Sequence, residues 1–76
     1  GDPKLAFAQV DIDAYYPTLE TLEYVDKMML KGGIVLVETY GLPNGRSVRA
    51  ATDAFCKKTG KTILVLSTAQ GVIFYN

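Results

Sequence analysis

The stretch Leu5–Val37, LAFAQVDIDAYYPTLETLEYVDKMMLKGGIVLV, decides the fold. Its opening residues, Leu5 to Ile12, are mostly apolar and run into Asp11 and Asp13, which reads as a short buried strand ending in an acidic loop. Pro17 then marks a helix start, because its fixed φ and missing N–H suit a first turn. From Thr18 onward Leu19, Leu22, Val25 and Met29 recur at helical spacing. Glu20 and Glu23 come early and Lys27 and Lys31 late, the order that the helix dipole favours. Gly32-Gly33 supplies the left-handed cap expected at a helix end, and Ile34–Val37 follows as a continuous apolar run of the kind buried on both faces of a sheet. The segment is a β-α-β unit.

Downstream, the second strand also ends acidic, in Glu38-Thr39, and enters the turn-rich stretch Tyr40 to Arg46. Ser47 suits the cap of a second helix whose Val48, Ala51 and Phe55 share one face, and Gly60 stops it after Lys57-Lys58. Lys61–Leu66 reads as a third strand, Ser67–Gly71 as a hairpin turn and Val72–Tyr75 as a returning fourth strand. The order is β-α-β-α-β-β over a single α/β domain, residues 1–76, with a C-terminal antiparallel hairpin. Crossovers between parallel strands are almost always right-handed, so two crossovers moving in one direction put both helices on one face. The other face has no helix, yet Ile34–Val37 and Ile63–Leu66 are apolar throughout. Either the chain pairs with itself, or it is half of a larger doubly wound sheet.

Composition narrows the function classes. Of 76 residues, 49% are hydrophobic, which suits a packed unit and not a disordered one. Eight Lys and Arg balance eight Asp and Glu, so no basic field exists to hold nucleic acid or a membrane surface. No apolar run approaches the ~20 residues of a spanning helix, and Gly1-Asp2-Pro3-Lys4 has no signal-peptide layout. The lone Cys56 forms no internal disulfide, and without any His it reads as a packing residue in a cytoplasmic protein. The absence of His also removes Ser-His and Cys-His catalysis. No G-x-G-x-x-G or P-loop follows a strand.

What remains is the acidic strand ends. Neighbouring strands lie ~4.8 Å apart, so adjacent first and second strands bring Asp11, Asp13 and Glu38 to one edge. In open α/β sheets that carboxyl edge is the usual ligand site. Asp11 and Glu38 there suit a hard divalent cation such as magnesium, or they simply cap the helices that follow and face water. Arg46 and Arg49 stand at the wrong helix end for a cation, which pairs them with an anionic ligand, with Glu38, or with solvent. Tyr15, Tyr16 and Tyr40 lie beside the acidic ends and suit the wall of the same pocket.

The runs VDIDAYYPTLETLEYVDKMMLKGGIVLVETYG (Val10–Gly41), RSVRAATDAF (Arg46–Phe55) and LSTAQGVIFYN (Leu66–Asn76) resemble the C-terminal half of class I S-adenosylmethionine-dependent methyltransferases. Within them the chain is most similar to the macrocin O-methyltransferase family, through its aspartate-x-aspartate-x-Tyr, the Pro-Thr before a helix, and the Lys-Gly-Gly before an apolar strand. The resemblance implies a Rossmann-like sheet of which these strands are the last four, the final one antiparallel. It places Asp11 at the family's metal and general-base position, with Asp13 beside it, and puts Glu38 and Thr39 where paired aspartates usually complete a magnesium site. Thr39 is a poor substitute for an aspartate. The half that holds S-adenosylmethionine has no counterpart in these residues, so the resemblance implies cofactor binding only where that half is supplied. Two expectations follow: a homodimeric module, not catalytic alone, that covers its open face with a second copy, or one half of a split O-methyltransferase whose partner chain supplies the cofactor site.

Overall fold

A computed structural model describes residues 4–76; Gly1–Pro3, on which the signal-peptide expectation rests, lie outside the described residues. Six elements follow in the order β1 (Leu5–Val10), α1 (Tyr15–Asp26), β2 (Met29–Val37), α2 (Arg46–Thr59), β3 (Ile63–Val65) and β4 (Gly71–Phe74). They form an α/β fold with one four-stranded mixed sheet and two helices. Among the described residues no helix is long and apolar enough to cross a membrane.

β1 pairs with β2 in parallel, β4 runs antiparallel to β2, and β3 runs antiparallel to β4. The order across the sheet is β1-β2-β4-β3. The first three strands therefore point the same way, but β3 does not sit beside β2 as a doubly wound parallel order requires. The returning strand takes that place. β4 is the more buried partner of the hairpin, with Val72 and Ile73 covered between β2 and β3, and β3 lies on the edge with Leu64 and Val65 exposed. Val35 faces Ile73 across one ladder and Ile63 faces Ile73 across the other.

Both helices pack on one face. Leu22 and Val25 of α1 and Val48 and Phe55 of α2 join Val10, Val35, Val37 and Ile73 in a single core. Cys56 lies in that core as a packing residue, its thiol pushed above the ordinary range by burial and then by Asp53. α2 is the more regular helix: Val48, Ala51 and Phe55 are buried as their spacing predicts, Lys57 and Lys58 occupy the last turn, and Gly60 ends it at φ 73° in the left-handed region. Its N-cap is Gly45, with no side-chain cap, so Ser47 lies inside the helix and not at its start.

The first crossover departs further from the sequence pattern. α1 stops at Asp26, and Met28 N–H closes its last turn on the Val25 carbonyl at 2.8 Å. Lys4 and Leu5 N–H both donate to the Met28 carbonyl at 2.8 Å, which draws the chain alongside β1 at once. Gly32 and Gly33 therefore lie within β2, not at a helix cap. They accommodate a bulge: Leu5 is opposite Met29, yet Phe7 is opposite Ile34. Gly32 takes φ 85°, and a Cβ on Gly33 would meet the Leu30 and Ala6 carbonyl oxygens at 2.9 and 3.0 Å. The expected match to the helix dipole is absent as well, because α1 has no acid in its first turn and no base in its last.

Candidate functional site

The parallel pairing of β1 and β2 ends level. Val10 is opposite Val37, and Glu38 N–H donates to the Val10 carbonyl at 3.0 Å, so the chains leave the sheet side by side at Asp11 and Glu38. Asp11 and Asp13 are exposed in the β1–α1 connection. Tyr15 and Tyr16 follow in the first turn of α1, their rings edge to face with centroids 5.0 Å apart. Tyr16 is exposed and Tyr15 half-buried. Asp11 and Glu38 thus leave the sheet at the carboxyl ends of β1 and β2, and the tyrosine pair follows Asp13 in the chain.

Glu38 does not meet its expected partners. Gln9 Nε2 donates to one carboxylate oxygen and Gln70 Nε2 donates to the other at 3.0 Å. Thr68 Oγ1 in turn donates to Gln70 Oε1. Ion pairs among the described residues join Lys58 to Glu23 and Lys61 to Asp26, and neither Arg46 nor Arg49 pairs with Glu38. Arg46 is exposed at the start of α2. Gln9, Thr68 and Gln70 are the site residues that sequence reasoning missed. The one available signal was Gln9 itself, the sole polar residue of an otherwise apolar β1.

Tyr40 turns away from the edge. It is buried beneath α2, and its hydroxyl donates to Asp53 Oδ1 at 2.5 Å. Desolvation first, and then the hydrogen bond to Asp53, pushes its pKa up to about 12. It therefore belongs to the packing of α2 and not to an open pocket wall.

Tested as a magnesium site, the donor set does not fit. A hard cation needs several oxygens that converge, and among the described residues no three of His, Cys, Asp and Glu do so. Thr39 offers only a neutral hydroxyl, buried and without a hydrogen-bond partner. Glu38 already receives amide N–H groups on both oxygens. Among the described residues no G-x-G-x-x-G turn follows β1 or β2.

A second polar cluster lies at the opposite end of the sheet. Tyr75 hydroxyl donates to Asp26 Oδ1 at 2.6 Å, Lys61 Nζ stands 3.2 Å from the same oxygen, and that ammonium sits 4.8 Å from the Tyr75 ring centroid. Burial and then Asp26 raise the Tyr75 hydroxyl well above its ordinary range. A cavity of about 520 Å³ opens beside it, lined by Lys61, Thr62, Leu64, Phe74 and Tyr75 among others. It is at the amino ends of the parallel strands, away from the acidic edge.

The face of the sheet without helices completes the picture. Phe7, Ile34 and Phe74 line up across β1, β2 and β4, and Leu36, Val72 and Leu64 form the next row across β2, β4 and β3. Phe7 is 55% exposed, Leu64 54% and Phe74 45%. β1 also has one unpaired edge. Compared with known proteins, the sequence matches no family model and no curated protein.

Proposed function

We propose that these residues form the C-terminal half of an S-adenosylmethionine-dependent O-methyltransferase of the macrocin type, inactive by itself and completed by a cofactor-binding half on further polypeptide. The observation that carries this reading is the apolar face bearing Phe7, Ile34, Leu64 and Phe74, next to the open edge of β1. Parallel strands added at that edge and wound away from β2 place their right-handed crossovers on the face opposite to α1 and α2. Such a unit would pair the edge and cover the face together. It would also make the carboxyl end of β1 the point where winding reverses, which is where doubly wound sheets bind ligands.

In this reading Asp11, exposed at that crevice, is the general base that takes the proton of a substrate hydroxyl. Asp13 and Tyr15 would border the hydroxyl-bearing substrate. The supplied half brings the methyl donor. A second copy of this chain would also cover the apolar face, but it would bring no glycine-rich turn.

The test joins sequence, cofactor and size. Coding sequence adjoining these residues is expected to encode a strand, a glycine-rich turn and a helix. The joined product is expected to bind S-adenosylmethionine in a calorimetric titration, whereas the 76-residue chain gives no heat. Adjoining sequence without that unit, together with light scattering from a monodisperse dimer of the short chain, would replace the reading with a self-paired module.

A further inference from the structure

We infer that Glu38 anchors a carboxamide clamp that stands in place of a divalent-cation site at the carboxyl ends of β1 and β2. The clamp spans three segments. Gln9 comes from β1, Glu38 follows β2, and Gln70 closes the turn between β3 and β4. Thr68 fixes which end of the Gln70 amide faces the carboxylate, because its hydroxyl donates to Gln70 Oε1 and leaves Nε2 to donate to Glu38. Two N–H dipoles then point at the oxygens that a cation would need. A cation entering there would meet the positive ends of both dipoles and would have to displace both donors.

The same bonds do structural work. Gly41 N–H donates to the Ala69 carbonyl at 2.7 Å, so the Ser67–Gln70 turn is tied to the connection after β2 through backbone as well as through Glu38. Within the turn Leu66 N–H donates to the Gln70 carbonyl at 2.8 Å and Ala69 N–H to the Leu66 carbonyl at 2.9 Å. The clamp thereby holds a hairpin of short strands against the sheet end, and it does so without metal. This inference concerns cation binding and turn order only, so it stands or falls separately from the methyltransferase reading.

Manganese, a paramagnetic substitute for magnesium, is the probe. Water-proton relaxation during titration of the chain with Mn²⁺ is expected to show no saturable binding below about millimolar concentration, as suits a site without converging carboxylates. In a Gln9→Ala, Gln70→Ala variant, amide exchange at Gly41, Leu66 and Ala69 is expected to rise about threefold to tenfold, the scale of one net hydrogen bond. Saturable micromolar Mn²⁺ binding that Glu38→Ala abolishes would overturn the inference. So would unchanged exchange at those amides in the double variant.

Discussion

The two faces of this sheet are made from the same strands and the same residue types, yet they have different fates. On the helical face Val35, Val37 and Ile73 have no exposed surface, sealed by Leu22 of α1 and Phe55 of α2. One residue along each strand, Ile34 and Phe74 turn to the other side, where Phe74 and Phe7, on either side of Ile34, stay about half exposed. Val72, flanked on the bare face by β2 and β3, is buried by its neighbours in the sheet, but at Phe7, Leu64 and Phe74 apolarity alone does not bring burial without a layer laid on the strand. An apolar residue contributes to stability roughly in proportion to the area that it removes from water. The covered face holds the molecule together, and the bare one holds apolar area that an added layer would bury.

The sharpest way to break that contrast is to truncate one phenylalanine on each side. Phe55→Ala is expected to cost about 3–5 kcal/mol, a large part of the stability of a domain of this size, whereas Phe74→Ala is expected to cost under about 1 kcal/mol in the isolated chain. Urea denaturation followed by circular dichroism measures both, and equal losses would mean that the bare face is covered in solution. Asp26→Ala comes next. It removes the acceptor shared by Tyr75 and Lys61 and is expected to cost about 1–3 kcal/mol in the same measurement.

The buried tyrosine on the helical side gives a pH signature. Tyr40 ionises near 12 in the fold and near 10 when unfolded, so it stays protonated in the native state while the unfolded chain loses its proton. Its contribution is complete below pH 10 and falls away as the pH climbs from 10 to 12. Tyr40→Phe is expected to make the fall over that interval shallower without abolishing it, because Tyr75 is raised in the same direction, and a profile as steep as the parent's would assign the loss to other groups. The smallest effect belongs to the hairpin turn. Ala69 sits at φ 74°, a position in three-residue hairpins that glycine fills more easily, and Ala69→Gly is expected to raise stability by up to about 1 kcal/mol.

Much of this architecture is legible along the chain because it depends on local period. The buried stripe of α2 and its Gly60 cap follow from spacing and from the one residue without a Cβ. The open apolar face follows from strand sequence plus the handedness of crossovers. Other features rest on contacts between distant residues and leave no local trace. A glycine pair serves a helix cap and a strand bulge equally well, and only Leu5 and Tyr75 decide between them. The insertion of β4 between β2 and β3 rests on pairings between distant residues, Val35 with Ile73 on one side and Ile63 with Ile73 on the other. At the acidic edge the positions of Asp11 and Glu38 were legible from strand ends, but two glutamines from opposite ends of the chain give no pattern to read.

The bulge at Gly32-Gly33 has a consequence for how this fold tolerates change in length. β2 is two short rails joined by a slack link: Met29 is held by Leu5 on one side of it, and Gly33 receives the Tyr75 N–H at 2.9 Å on the other. Three more residues are used on β2 than on β1 across the link, since Leu5 to Phe7 spans Met29 to Ile34. A residue gained or lost in that link can be absorbed there while Phe7 and Ile34 keep their pairing. The parity of the strand beyond it, and with it the assignment of every side chain to the covered or the bare face, is insulated from the length of the crossover before it.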